Sequence, residues 1–342
     1  MRVATDRVCI VMMSAIGDAV HVMPVLHSLK RANPAMKVTW ILQPGPAALV
    51  RGHNLVDEII LFDRSKGMQG FLDIRSQLQN RQFDLAISLQ VYLKANFILS
   101  FVKAPVKLGF DRARARDLNW LFTTHKIDPQ PMQHVQDQYL EFCQWLDAPV
   151  SPVVWNLGPW NDEERQWQRS FFSQIERPVS AIVIATSKLQ KNWLPERWAA
   201  VCDSLYADFG LQPVLVGGKS QVEVDFERVI MEKANHKPVS ALGNGGLRGL
   251  VGILDGAALV LSPDTGPLHI TVALDRPVIS LIGYSNPKRV GPYRKFHDLM
   301  IDAYGDPGED YPITMENRLD RMPRIAVNDV LEKIQHWRAN YR

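Results

Sequence analysis

Short, almost uniformly apolar runs alternate with amphipathic stretches along this chain, and that alternation constrains its fold more than any other feature. Arg7 to Met13 (RVCIVMM), Lys37 to Leu42 (KVTWIL), Glu58 to Phe62 and Asp84 to Leu89 (DLAISL) are rich in β-branched and apolar residues. Runs of that length suit strands buried on both faces of a parallel sheet. Helix patterns lie between them, such as Val22, Val25, Leu26 and Leu29 ahead of a stop at Asn33-Pro34. Strand, helix and strand in succession predict βαβ units with right-handed crossovers. The pattern breaks once, between Ala148 and Trp160, where Pro149, Pro152, Gly158 and Pro159 cluster. It then restarts with strands at Val179 to Ala185, Gln212 to Val216, Ala257 to Ser262 and Pro277 to Ile282. Helix patterns fill the gaps, and a last helix from Val327 to Trp337 has no strand after it. The predicted fold is α/β: two doubly wound domains, residues 1–158 and 159–342, facing a central cleft. The last helix, 327–338, is able to pack back on the first domain.

Bulk properties agree. A chain of 342 residues exceeds what one hydrophobic core usually fills. Its net charge of +3 is far from the balance of a dedicated nucleic-acid binder, so an anionic partner has to meet a local basic patch. No stretch has the length and flanks of a transmembrane span, and the charges Asp6, Arg7 and Asp18 argue against a leader peptide. Cys9, Cys143 and Cys202 are far apart in apolar runs and read as reduced core thiols, which points to the cytoplasm.

Ligands of open parallel sheets bind beyond the carboxyl ends of the strands, and three segments join that position to suitable side chains. In Ser262 to His269 (SPDTGPLH) a strand ends, a Gly-bearing turn follows, and a helix starts with Pro267 in its first turn. The amides of Thr265, Gly266 and Leu268, with the positive end of the helix dipole, make an anion site suited to a diphosphate. The plainer reading makes Asp264 and Thr265 helix caps. In Ser14 to His21 (SAIGDAVH), Gly17 permits close backbone approach and Asp18 can take a proton from an attacking hydroxyl; an N-cap is again the alternative. Gly17 stands alone, so this is no dinucleotide fingerprint. Thr186 to Trp193 (TSKLQKNW) brings two lysines and two hydroxyls to a strand end, where they suit a phosphate or simply meet solvent.

Together these segments resemble glycosyltransferase family 9, the lipopolysaccharide core heptosyltransferases. The matching pieces are Met13 to Asp18 with Pro24 and Leu29, Lys191 to Trp198 (KNWLPERW), Val216-Gly217-Gly218 with Glu223, and Ser262 to His269. Likeness also touches Gly109 to Asp117 and Gly291-Pro292-Tyr293, so it spans nearly the whole chain. The resemblance implies a GT-B fold of two Rossmann-like domains and an inverting, metal-independent transferase with no cofactor. It implies ADP-activated glycero-manno-heptose as donor, and as acceptor the Kdo region of the inner core or a heptose already added there. On this resemblance Asp18 is the catalytic base, Lys191, Thr265, Gly266 and His269 hold the diphosphate, and Glu223 lies near the ribose; Thr186, Ser187 and Asp264, from the two strand-end segments, complete the expected donor set.

Such an acceptor is a polyanionic lipid, and the first domain offers Arg112, Arg114 and Arg116 in one run. Guanidiniums pair well with phosphate and carboxylate. These three, with Arg64, Ser14 and Gly17, form the expected acceptor set, and the enzyme is expected to work peripherally on the inner face of the bacterial inner membrane. Other readings remain: a family 9 transferase with a different nucleotide sugar, a GT-B sugar-nucleotide epimerase that releases UDP without an acceptor, or a binding module that does not turn over.

Overall fold

The computed structural model describes residues 2–342, which divide into two compact units between Trp155 and Asn156. The division falls close to the joint expected near residue 158. In the first unit the strands are β1 (Arg7–Val11), β2 (Lys37–Leu42), β3 (Glu58–Leu61), β4 (Leu85–Ser88), β5 (Val106–Gly109) and β6 (His125–Lys126). They run parallel in the order β3-β2-β1-β4-β5-β6. The second unit holds β7 (Val179–Val183), β8 (Gln212–Val216), β9 (Val239–Ser240), β10 (Leu259–Pro263), β11 (Val278–Ile282) and β12 (Ile301–Asp302). Their order, β12-β11-β10-β7-β8-β9, is the same topology seen from the other edge, and every pairing is again parallel. In each sheet the chain reverses direction of travel beside its first strand, between β1 and β4 and between β7 and β10. Crevices at such reversals are where open α/β sheets receive ligands.

β5, β6, β9 and β12 were not expected from sequence. All four are short, and β6 and β9 are exposed edge strands, so they lack the apolar signature of the central ones. The helix Ile16–Ala32 ends where Asn33 donates its amide to the Leu29 carbonyl. Its residues from Ala19 to Leu29 are almost all buried, and the helix packs on the helices Val135–Trp145 and Pro44–Val50. Arg31 ties the Pro-rich stretch to this unit, donating to the carbonyls of Pro149 and Pro152 at 2.9 and 2.8 Å.

In the second unit the helix Asp162–Phe172 lays Trp167 on the glycine face of the helix Gly246–Gly256. A β-carbon added at Gly249 would lie 3.1 Å from that ring. The last helix, Val327–Asn340, is one that the sequence left able to pack back on the first domain. Instead its apolar face, Val330, Ile334 and Trp337, is buried in the second unit's core with Trp193 and Trp198. The spacing of those three apolar residues is what a core face needs, and their own sheet lies nearest in the chain.

Cys9, Cys143 and Cys202 are buried thiols, and burial pushes the thiols of Cys143 and Cys202 up to about 12. No helix among the described residues is long and apolar enough to cross a membrane.

Candidate functional site

Beyond β1 the chain enters the loop Met12 to Ala15 and then the helix Ile16–Ala32. Gln90, beyond the neighbouring β4, holds this loop: its Oε1 accepts from the Met13 amide at 3.0 Å, and its Nε2 donates to the Ser14 carbonyl at 3.0 Å. Gly17 is buried and Ser14 half-buried. Asp18 sits in the first helical turn, where its Oδ2 accepts from the Ala15 amide at 2.7 Å. It is therefore a helix cap as well as a candidate base. The Tyr139 hydroxyl, from the helix Val135–Trp145, reaches Asp18 Oδ1 at 3.4 Å. Behind them Gln136 clasps His21, meeting its Nδ1 at 3.0 Å and donating to its carbonyl at 2.9 Å.

The arginine run follows β5. Asp117 fastens its far end by accepting from the Leu93 amide at 3.0 Å and, through its carbonyl, from Asn96 Nδ2 at 2.8 Å. The three arginines do not act alike. Arg112 is exposed, with its guanidinium 4.9 Å from the Trp120 ring centre, and Arg116 and Arg64 are exposed too. Arg114 is a correction to the expected acceptor set. Its side chain is 5% exposed, bonded to Asp111 and bidentate to Glu141 at 2.9 and 2.6 Å. Burial opposes its charge, but the bonds to Glu141 and Asp111 outweigh that and hold the guanidinium firmly protonated. Occupied on both edges, Arg114 braces the loop from within and is closed to an acceptor.

In the second unit the loops after β7 and β10 bring distant residues together. Thr186 is buried, its amide donating to Asn192 Oδ1 at 2.7 Å and its hydroxyl to the Lys188 carbonyl at 2.8 Å. That closed turn presents Lys191, whose Nζ lies 2.6 Å from Asp264 Oδ2. His269 Nε2 lies 3.8 Å from the other oxygen of Asp264. Asp264 is only 5% exposed. It orients Lys191, and the lysine in turn makes a buried carboxylate tolerable. Thr265 is the N-cap of the helix Gly266–Ala273, without a side-chain cap bond. Of the first-turn amides, Leu268 donates to the Thr265 carbonyl at 3.0 Å, and Pro267 has none. The Leu268 amide, expected to face an anion, is thus engaged within the first turn. Ser187 is exposed on the same loop as Lys191.

Glu223 is the second correction. Its Oε1 accepts from the Gly218 amide at 2.6 Å, and its Oε2 from the Ser220 amide and hydroxyl at 2.9 and 2.6 Å. The carboxylate completes a capping box on the helix Gln221–Lys233 rather than standing open to a ribose. The adjacent glycines serve that closure, since a β-carbon at Gly217 would fall 2.6 Å from Glu223 Oε1.

Gln90, Tyr139 and Asn192 were missed from sequence. Each acts through a neighbour that only the strand order or helix packing reveals. Among the described residues no group of three His, Cys, Asp or Glu side chains has metal-ligand spacing.

A model of glycosyltransferase family 9 (heptosyltransferase) matches residues 71–306. The lipopolysaccharide core heptosyltransferase OpsX of Haemophilus influenzae is 28% identical over 341 residues, covering 97% of each chain. A family 9 glycosyltransferase from Veillonella parvula superposes with a TM-score of 0.82 at 21% identity, over 97% of this chain and 96% of its own. Escherichia coli heptosyltransferase WaaC, solved with ADP, superposes at 0.74 with 26% identity, over 97% of this chain and 98% of that one.

Proposed function

The chain belongs to glycosyltransferase family 9, the heptosyltransferases, with their GT-B architecture, and from that premise we propose that it transfers a heptose from ADP-activated glycero-manno-heptose to the Kdo or inner-core region of a lipopolysaccharide precursor. The observation that carries the reading is the Lys191–Asp264–His269 cluster beside the N-terminus of the helix Gly266–Ala273. An ammonium has three N–H donors. Asp264 takes one, and the diphosphate takes those that remain, along with the Gly266 amide. Thr265 and Ser187 supply hydroxyls, and the buried Thr186 shapes the turn. The ADP held by the similar E. coli enzyme supports a donor of this class.

Transfer then follows from charge. Asp18 accepts the proton of the acceptor hydroxyl as that oxygen bonds to the anomeric carbon, opposite the departing diphosphate. The bond from the anomeric carbon to the phosphate oxygen breaks, and ADP leaves carrying the electron pair. A carboxylate offers about four acceptor sites, so holding the Ala15 amide does not preclude this step. Lys191 and the helix dipole stabilise the growing negative charge, the kind of contribution that is often the largest in catalysis. They do the work of a divalent metal. Ser14 and Gly17 lie beside the attacking hydroxyl, and Arg112, Arg116 and Arg64 meet the acceptor's carboxylates and phosphates. The enzyme works at the cytoplasmic face of the inner membrane, where such a lipid is presented.

The test is a donor screen. ADP-heptose, ADP-glucose and UDP- or GDP-sugars are offered with deacylated inner-core acceptors, and ADP-heptose should be the preferred donor. A preference for any other nucleotide sugar overturns the assignment.

A further inference from the structure

Eight of the fourteen large apolar side chains that stand exposed among the described residues fall between Leu61 and Leu121. Six of them sit on, or at the start of, three short helices of the first unit. Met68 (69% exposed) and Leu72 belong to the helix Met68–Leu78, and Leu93 (59%) and Phe97 to the helix Leu93–Phe101. Leu118 caps, and Leu121 (59%) belongs to, the short turn of helix at Asn119–Phe122. The helices form one surface. The Phe71 and Phe97 rings meet edge to face at 5.2 Å, joining the first to the second. The bonds from Leu93 and Asn96 to Asp117 join the second to the third. Leu118 has φ of +60°, a left-handed conformation uncommon for leucine, and is held there with its side chain in water.

The same stretch is the basic part of the molecule. From Phe62 to Phe122 there are ten lysines and arginines against five aspartates and no glutamate; with Arg81 and Arg114 paired to Glu58 and Glu141 outside the stretch, an excess of three positive charges remains. Lys94 is exposed between Leu93 and Phe97, and the exposed Arg112 and Arg116 lie six and two positions before Leu118, with Asp117 between. Contiguous exposed apolar groups mark an interaction surface. Apolar side chains set among lysines and arginines fit the interfacial region of an anionic bilayer, where both kinds of group are satisfied together.

We propose that the face built by residues 68–78, 93–101 and 118–122 docks the first unit on the surface of an anionic membrane. The inference rests on the acceptor being a lipid: Leu118 and Leu121 adjoin the arginines assigned to its anionic groups, so docking brings a lipid headgroup to that loop.

The experiment measures partition of the full-length protein, without donor, onto vesicles of phosphatidylglycerol and phosphatidylethanolamine and onto neutral phosphatidylcholine vesicles. Binding should favour the anionic vesicles and weaken from about 0.1 M to about 1 M salt, as the screening length falls from about 10 to about 3 Å. Leu93→Ser combined with Leu121→Ser should weaken it at least about tenfold through lost apolar burial. Lys94→Glu, on an exposed position that tolerates charge reversal, should weaken it roughly twenty-fold at low salt, since each unit of charge is worth about fivefold. All three substitutions should leave transfer to a deacylated, water-soluble acceptor unchanged. Equal partition onto neutral vesicles, or variants that bind as the wild type does, overturns the proposal. So does a dimer that the double variant dissociates while vesicles are ignored, because the face then meets a second copy. Failure of the wild type to use the soluble acceptor contradicts the transferase reading alone, and vesicle binding is scored without it.

Discussion

Asp18 has two duties that one substitution can separate. Its Oδ2 caps the helix Ile16–Ala32 through the Ala15 amide, and asparagine keeps an oxygen for that bond while losing the basicity. Asp18→Asn should therefore leave thermal stability and ADP affinity close to wild type and lower kcat by about 10²–10⁴-fold; unchanged turnover would remove Asp18 from the chemistry. Lys191 is tested against its partner. Lys191→Ala weakens ADP binding and transfer together, and it also leaves the buried Asp264 carboxylate without its cation, which destabilises the fold. Adding Asp264→Asn should restore the melting temperature without restoring ADP affinity. Recovery of both would reduce the pair to a structural one. At this scale the sequence pointed to Asp18, Lys191 and Asp264, because strand ends followed by helix starts are visible in the residue pattern. It could not show that Asp264 holds Lys191 across 73 positions of chain. Nor could it distinguish Glu223 the cap from Glu223 the ligand, since both need a carboxylate near a glycine turn.

The loop after β5 makes the same point for a whole element. Arg112, Arg114 and Arg116 alternate along it, and alternation alone does not say which face turns inward. Burial decides: Arg114 enters the unit to meet Asp111 and Glu141, and its neighbours stay in water. Arg114→Ala should cost about 3–5 kcal/mol of stability, the usual result of stripping a buried carboxylate of its partner. Arg116→Ala should leave stability within about 0.5 kcal/mol and raise the acceptor KM with ADP affinity untouched. Denaturant unfolding and acceptor titrations on the two variants check this, and a reversed pattern would put the acceptor on Arg114. The central strands were legible because they are apolar on both faces. β6, with two exposed residues, carries no such mark and forms only because β5 offers it an edge.

For the whole molecule, each unit has its own sheet and core, and the candidate donor and base residues lie in different units. Acid should reach the first unit through Asp57. Burial raises its pKa, but bonds from the Val38 amide, Lys37 and Lys30 prevail and bring it down to about 2. A carboxyl depressed below its ordinary value contributes stability fully above about pH 4 and loses it as the pH falls toward 2. Urea unfolding should show a shallower decline over that window in Asp57→Asn than in wild type; an identical decline would assign the loss elsewhere. The account's central claim is acceptor-dependent heptosyl transfer driven by fixed protein charge. The most direct measurement is ADP release from ADP-heptose, with and without a deacylated inner-core acceptor, in the presence and absence of EDTA. The account predicts stoichiometric ADP and heptosylated product only when acceptor is present, at a rate EDTA leaves unchanged. Nucleotide release without acceptor, or activity that returns only on adding Mg²⁺, would contradict it.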